Sequence, residues 1–441
     1  MSVDKSAATP QSRSRVVRAV ERLVVVQPHE LRALLASFAM LFCLFGCYTM
    51  LRPVRETMGI DSGVENLPSL FWGTFAVMLA VQPVYGWLTS RFRRTVFLPW
   101  VYLFFTLNIL LFYAWFRVSS DHVWIARTYF VWVSVFNLFV VAVFWSLMAD
   151  VFTREQAGRM FGFIAAGAST GGLVGPFLAG RLVRPLGTIN LLPISAVLLA
   201  SSLIFMGLLI RWHREFGTTA RGADADKALG GTTLAAFRQV AHSPYLLGIA
   251  VFVLLITWVS TFLYLEQQAL VAKIFTARDD RTRFFSNIDF WVQALSLFGQ
   301  LVLFGRLYRW VGFRVMFASV PLLMTAGYAL YALVPTFAVV VAVFIVRRVG
   351  EYAIVRPCRD TLYTVVPREE KYKAKSLIDT FIYRGGDATS GSLYKALTAT
   401  LGLGSAGIGW VGAAISALWL LLSIALGRAY VRDRQDAAPQ P

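Results

Sequence analysis

Residues 337–363 read FAVVVAVFIVRRVGEYAIVRPCRDTLY. An unbroken apolar run leads straight into Arg347, Arg348, Glu351, Arg356, Arg359 and Asp360. As a helix rising 1.5 Å per residue, the stretch is about 40 Å long. That exceeds the roughly 30 Å hydrocarbon core of a bilayer. The apolar part predicts a membrane span that enters after Pro335, which puts Arg347, Arg348 and Glu351 near mid-bilayer. A lone charge there costs ~2.5–3.5 kcal/mol even on the lenient insertion scale. These side chains therefore require partners or water, which a bundle of helices supplies and a single span does not.

The rest of the chain agrees. Of 441 residues, 57% are hydrophobic and 15% charged, and the mean hydropathy is +0.62. A soluble protein carries about a quarter charged residues. Apolar runs near twenty residues recur throughout, and a transmembrane barrel would alternate in short segments instead. The reading is an all-α membrane protein with twelve transmembrane helices in two six-helix bundles. Expected spans are 31–51, 67–90, 96–116, 123–149, 159–180 and 189–211, then 245–271, 286–305, 313–333, 336–366, 374–398 and 404–428. The expected organisation is an N-terminal cytoplasmic segment (1–30), one bundle (31–211), a linker (212–243), a second bundle (244–430) and a tail (431–441). Gly, Ala and Thr enrich the linker, which predicts flexibility. Residues 13–26, RSRVVRAVERLVVV, suit a basic helix on the membrane face, and no cleavable leader is expected.

The formal charge of +18 fits positive-inside loops better than nucleic-acid binding. Lys and Arg concentrate at the termini and in the loops after the even-numbered spans. Both termini are thus expected in the cytoplasm, with the protein in a bacterial inner membrane. Cys43, Cys47 and Cys358 fall within spans and suit packing better than disulfides or a metal. No phosphate-binding glycine loop, catalytic triad or metal constellation is visible. An enzyme is not expected, and neither is a cofactor.

The halves look related. TREQAGR (153–159) follows span 4 and PREEKYK (367–373) follows span 10, while Gly171-Gly172 and Gly385-Gly386 occupy the next helices. Two related halves suggest bundles rocking around a central pathway. In span 5, Gly167, Gly171 and Gly175 share a face on which another backbone can approach closely. Span 11 carries a polar stripe at intervals of four: Lys375, Asp379, Tyr383 and Asp387, with Arg384 beside it. Candidate substrate-binding residues are Arg52, Arg55, Arg347, Arg348, Glu351, Asp379, Tyr383, Arg384 and Asp387. Candidate gating or coupling residues are Glu56, Arg127, Glu266, Asp289, Arg359 and Asp360. Trp132, Trp145, Trp258 and Tyr383 are the aromatics available to stack on a ring. One account of the charges is a set of structural ion pairs. The other is a wet pocket for an anion, since guanidinium suits phosphate and carboxylate.

Longer segments sharpen this. GWLTSRFRRTVFLP (86–99) resembles the signature loop of the major facilitator superfamily, with Ser90 where that family usually has Asp. YTMLRPVRETM (48–58), VRPCRDTLYTVVPREEKYKAKSLID (355–379) and NLFVVAVFWSLMAD (137–150) resemble segments of the ATP:ADP antiporter family. Arg52 matches that family's Arg, and Arg55 replaces its binding Lys. Pro357, Arg359, Asp360, Tyr363, Lys375 and Asp379 fall on matching positions, as do Asn137, Phe139 and Trp145. Val143 stands where the family has an intramembrane Glu, and Asp387 where it has a Lys. The resemblance implies the major facilitator fold and transport of a phosphorylated, nucleotide-like anion. The two departures bear on exchange of ATP for ADP, not on the fold. The expectation is a secondary transporter for an anionic metabolite, with a small anion and the lipid bilayer as partners, nucleic acid excluded and a monomer sufficient. Two other readings are a proton-coupled efflux carrier for lipophilic compounds and a non-transporting membrane scaffold or sensor.

Overall fold

The computed structural model describes residues 26–91, 94–119, 121–216, 233–367, 374–375 and 377–436. Most of the basic stretch 13–26, the middle of the linker and residues 368–373 lie outside them.

Helix is the regular structure throughout the described residues. The first half holds α1 (Leu31–Asp61), α2 (Leu67–Arg91), α3 (Arg94–Val118), α4 (Val123–Val151), α5 (Arg154–Leu186) and α6 (Leu191–Phe216). A short α7 (Thr233–His242) lies within the segment expected as a linker. The second half holds α8 (Pro244–Ile274), α9 (Arg278–Phe298), α10 (Phe304–Leu333), α11 (Phe337–Gly350), α12 (Arg356–Leu362), α13 (Tyr383–Lys395) and α14 (Ser405–Asp436). Nine helical stretches among the described residues are long and apolar enough to cross a membrane. One of them, Arg278–Leu333, contains both spans expected at 286–305 and 313–333. They are separated at Gly312, whose φ of 73° only glycine adopts readily. The segments expected as spans 10 and 11 are too charged to count among the nine.

Span 10 is not one regular helix. A π turn, Glu351–Val355, separates α11 from α12, and a second, Gly299–Leu303, separates α9 from α10. Pro357 lacks an N–H and its ring crowds the carbonyl four residues back, so a widened turn just before it relieves that conflict. A third π turn, Ile378–Ile382, precedes α13. Gly385 and Gly386 sit inside regular helix against Phe75 and Thr257.

Apolar side chains form two large cores, one drawn from residues 33–212 and the other from 240–430. Small clusters cross between them: Leu67, Leu70 and Phe130 with Leu265, and Ile60 with Val271 and Phe285. Polar contacts reinforce the same end. Asp61 bridges Arg278 at 2.6 Å and Arg281 at 3.0 Å. The Thr57 and Thr282 hydroxyls lie 2.7 Å apart, and the Thr188 N–H and hydroxyl both donate to Asp279 at 2.7 Å.

The span 5 glycines do what their spacing predicts. A Cβ on Gly167, Gly171 or Gly175 would strike the α1 backbone at Phe38, Phe42 or Gly46. Both helices belong to the same core, so this is packing within one half and not a sliding surface between halves. Gly171→Ala should lower the melting temperature in detergent, by the on the order of 1–3 kcal/mol typical of overpacking. Gly162→Ala on the same helix, where an added Cβ meets nothing within 4 Å, should leave it unchanged.

TREQAGR (153–159) begins α5 with a capping box. Thr153 accepts from the Gln156 N–H at 3.3 Å, and the Thr153 N–H donates to the Gln156 side chain at 3.0 Å. The same turn grips Glu30, which accepts from Gln156 at 2.9 Å and pairs with Arg159 at 3.2 Å. Burial alone would raise the Glu30 carboxyl. The Gln27 N–H, Gln156 and Arg159 outweigh it and hold the carboxyl below its usual range. A lowered folded-state pKa gives stability above the unfolded value that is lost as pH falls through the folded one. Glu30→Gln should therefore melt earlier than wild type at pH 7. The gap should close progressively below about pH 4.5, the ordinary Glu range.

Candidate functional site

A cavity of about 920 Å³ opens between the two cores. Among the described residues seven cationic side chains line it: Arg52, Arg55, Arg347, Arg356, Arg359, Lys375 and Arg384. Five carboxylates join them: Glu56, Glu351, Asp360, Asp379 and Asp387. The charges come from α1, the α11–α12 region, the segment leading into α13 and α13 itself. They stand at three levels.

Nearest the Asp61 end, Glu56 receives Arg55 at 2.6 Å, the Tyr264 hydroxyl at 2.6 Å and the Gln268 amide at 3.0 Å. Arg52 is held loosely, with Nε 3.8 Å from Glu56 and 3.7 Å from Asp289. At the middle level Arg347 pairs with Glu351 at 2.7 Å and donates to Ser260. Arg356 reaches the other Glu351 oxygen at 3.4 Å. Arg384 lies 3.5 Å from Asp387, which also accepts from Thr261 at 3.3 Å. At the far level Arg359 pairs with Asp379 at 3.3 Å and Lys375 with Asp360 at 2.8 Å. Pairing is incomplete: the buried Nε of Arg55, Arg347 and Arg359 has no hydrogen-bond partner among the described residues.

The cavity brings together Arg52, Arg55, Arg347, Glu351, Asp379, Tyr383, Arg384 and Asp387 of the expected binding residues. Arg348 stands apart. It is 3% exposed and locked onto Asp289, off the cavity lining. Of the expected gating residues, Glu56, Arg359 and Asp360 line the cavity. Asp289 is the Arg348 partner behind it. Arg127 lies over the Trp124 ring and donates to the Ser62 carbonyl. Glu266 is buried outside the lining, where the Tyr331 and Tyr394 hydroxyls donate to it. Among the four candidate stacking aromatics, Tyr383 reaches the cavity, while Trp132 stacks on Phe136 at 5.3 Å within the first core.

Helix geometry explains these placements. Tyr264, unnoticed in the sequence, faces the cavity, and Gln268 one turn on shares its face. Glu266, two residues away, is turned by about 200° into the core. Arg347 and Glu351 share a face at i and i+4, and Arg348 is a single step round the helix toward α9. Beyond the π turn the 3.6-residue count no longer holds. Arg356, five after Glu351, takes the cavity position, and Cys358 packs in the core. Other lining residues that no charge or motif signalled are Ser134, Gln293 and Gln300; being uncharged polar residues in spans is their only sequence trace.

Comparison with known proteins agrees with this architecture. Two carriers of Chlamydia pneumoniae are similar over most of their length. ADP,ATP carrier protein 2 is 20% identical across 88% of this chain and 87% of its own. ADP,ATP carrier protein 1 is 21% identical across 94% and 96%. The crystal structure of a bacterial homologue of the iron transporter ferroportin, in its inward-facing state, superposes with a TM-score of 0.65. It is 13% identical and covers 90% of this chain and 98% of its own. The sequence profile of the Major Facilitator Superfamily matches residues 73–386. With helices in two cores around a charged cavity, the chain belongs to the Major Facilitator Superfamily, and is a multi-pass membrane transporter of that kind.

Proposed function

We propose that this transporter carries a small anion bearing phosphate or carboxylate across the bacterial inner membrane by alternating access. The observation that carries the reading is the surplus of guanidinium over carboxylate in the cavity, with buried guanidinium N–H groups left over. Among the described residues the lining holds two more positive than negative groups. An ionised phosphate monoester would match that surplus and accept several charge-assisted hydrogen bonds at once. The similarity to ADP,ATP carriers points toward phosphorylated or nucleotide-like cargo. Val143 and Asp387 separate this chain from that family's exchange residues, so the cargo need not be ATP.

Each core, 31–211 and 244–430, moves as a bundle in this reading, with both termini cytoplasmic. The Asp61–Arg278–Arg281 cluster joins the halves at the end opposite the termini. Glu56, with Tyr264 and Gln268, extends that closure into the cavity.

A melting-temperature screen of phosphorylated metabolites on the purified transporter tests the cargo class. A cargo stabilises the state that binds it by mass action. At a concentration 100 times its Kd the gain is about 2.7 kcal/mol. At least one dianion should raise the melting point, and Arg55→Gln and Arg347→Gln should abolish that shift. Lipophilic cations that stabilise the protein while every anion fails would favour drug efflux instead.

Arg347 and Arg348, adjacent in sequence, should separate in assay. Arg347→Gln should lose ligand response and lower intrinsic melting less than Arg348→Gln does, because Glu351 faces the cavity and keeps Arg356 at 3.4 Å. Arg348→Gln leaves Asp289 buried beside only the loosely held Arg52, so it should lower intrinsic melting sharply. Breaking a buried pair from one side typically costs about 3–5 kcal/mol. Asp289→Asn in the Arg348→Gln background should restore part of that loss.

A further inference from the structure

We propose that a second cavity, beside the first, binds the phosphate headgroup of an anionic membrane lipid. The site adjoins the cargo cavity, and its ligand is distinct from the cargo. It measures about 480 Å³ and is lined by Gln300, Phe304, Tyr352, Arg356, Pro357 and Asp360. Gln300, Tyr352, Arg356 and Asp360 line the central cavity as well, so the two spaces adjoin.

Two π turns form its walls. Gly299 and Ala353 bring them together: a Cβ on Gly299 would lie 2.9 Å from that of Ala353. The Gln300 amide then donates at 3.0 Å to the Tyr352 carbonyl. A π turn releases a carbonyl from the regular helical ladder, and here a side chain on the facing turn receives it. Pro357 follows with no N–H to offer, and the chamber opens beside these widened turns.

Among the described residues Arg356 is the cation that lines the chamber. Glu351 is shared with Arg347 at 2.7 Å, and Asp360 holds Lys375 at 2.8 Å. Arg356 keeps a long contact to Glu351 at 3.4 Å and lies over the Tyr352 ring at 4.5 Å. Its side chain is 49% exposed. On the adjoining turn Phe298, Leu301 and Leu303 are also exposed. A guanidinium flanked by an apolar surface suits an amphiphile: phosphate on the arginine, acyl chains along the helix. The depth agrees. Arg356 follows Phe337 by about 28 Å of helix, one hydrocarbon thickness from the start of α11, where headgroups lie. A soluble phosphate ester shares the headgroup chemistry but gains nothing from the exposed leucines.

The test uses the purified full-length transporter in neutral detergent with three probes: dioctanoyl phosphatidylglycerol, dioctanoyl phosphatidylcholine and glycerol 3-phosphate. Phosphatidylglycerol should raise the melting temperature by several degrees, and more than phosphatidylcholine does. Arg356→Gln should remove most of that shift, and Arg356→Lys should keep part of it. Phe304→Trp, which fills the chamber without touching the central cavity, should remove the lipid shift as well. Arg55→Gln should leave the lipid shift in place, which separates this site from the cargo reading. An equal phosphatidylglycerol shift in wild type, Arg356→Gln and Phe304→Trp overturns the proposal. So does a glycerol 3-phosphate shift in Arg55→Gln, where the cargo cavity no longer responds, as large as the lipid's, because the ligand of this chamber would then be a soluble phosphate.

Discussion

A charge inside a bilayer persists only with an opposite charge or water beside it, and that constraint organises the centre of this transporter. Three carboxylates do most of the neutralising. Glu56 receives Arg55, Tyr264 and Gln268, Glu351 receives Arg347 and Arg356, and Asp289 receives Arg348. Two of the three also reach across the halves. Glu56 sits on α1 and is held by α8, and Asp289 sits on α9 within 3.7 Å of Arg52 on α1. The groups that make the cavity charged are therefore among those that keep the halves closed at the Asp61 end.

Composition alone makes the fold legible. Apolar runs of membrane length leave little alternative to a helical bundle, and intramembrane charges then demand a wet interior. The span 5 glycines were legible for the same reason, because small residues one turn apart permit a single kind of contact. The charged stripe on the way into α13 was legible too: Lys375, Asp379, Tyr383 and Asp387 all reach the cavity.

What the sequence concealed has a common physical origin. A polar side chain in a span is costly anywhere, so its presence flags burial without saying what it faces. Glu266 satisfies its need with two tyrosine hydroxyls in the core, and Arg348 does so with Asp289. Neither needed the cavity. Orientation depends on helix phase, and phase shifts wherever a π turn inserts a residue. No pattern in GEYAIVRP announces that Arg356 will take the place one turn beyond Glu351, although the proline just after it is a clue. Aromatics were harder still. Trp132 and Tyr264 are equally apolar to a sequence reader, and only packing shows that one stacks in a core while the other donates to Glu56.

The incomplete pairing in the cavity is also what makes exchange between empty and loaded states physically feasible. An empty cavity lined by bare guanidinium groups would be prohibitive in a low-dielectric setting. One lined by fully matched pairs would have nothing to offer a cargo. Here the resident carboxylates stand in for the anion. Arg52 sits between Glu56 and Asp289 without closing on either, and the Nε–H groups of Arg55, Arg347 and Arg359 are held in reserve. On the proposed function, an arriving anion would engage those donors before any resident pair breaks. As it draws Arg55 toward itself, Glu56 loses its closest cation while Tyr264 and Gln268 still tie it to the second half. In the proposed reading the energetic link between cargo and closure runs through Glu56, which among the described cavity carboxylates is the one held simultaneously by both halves.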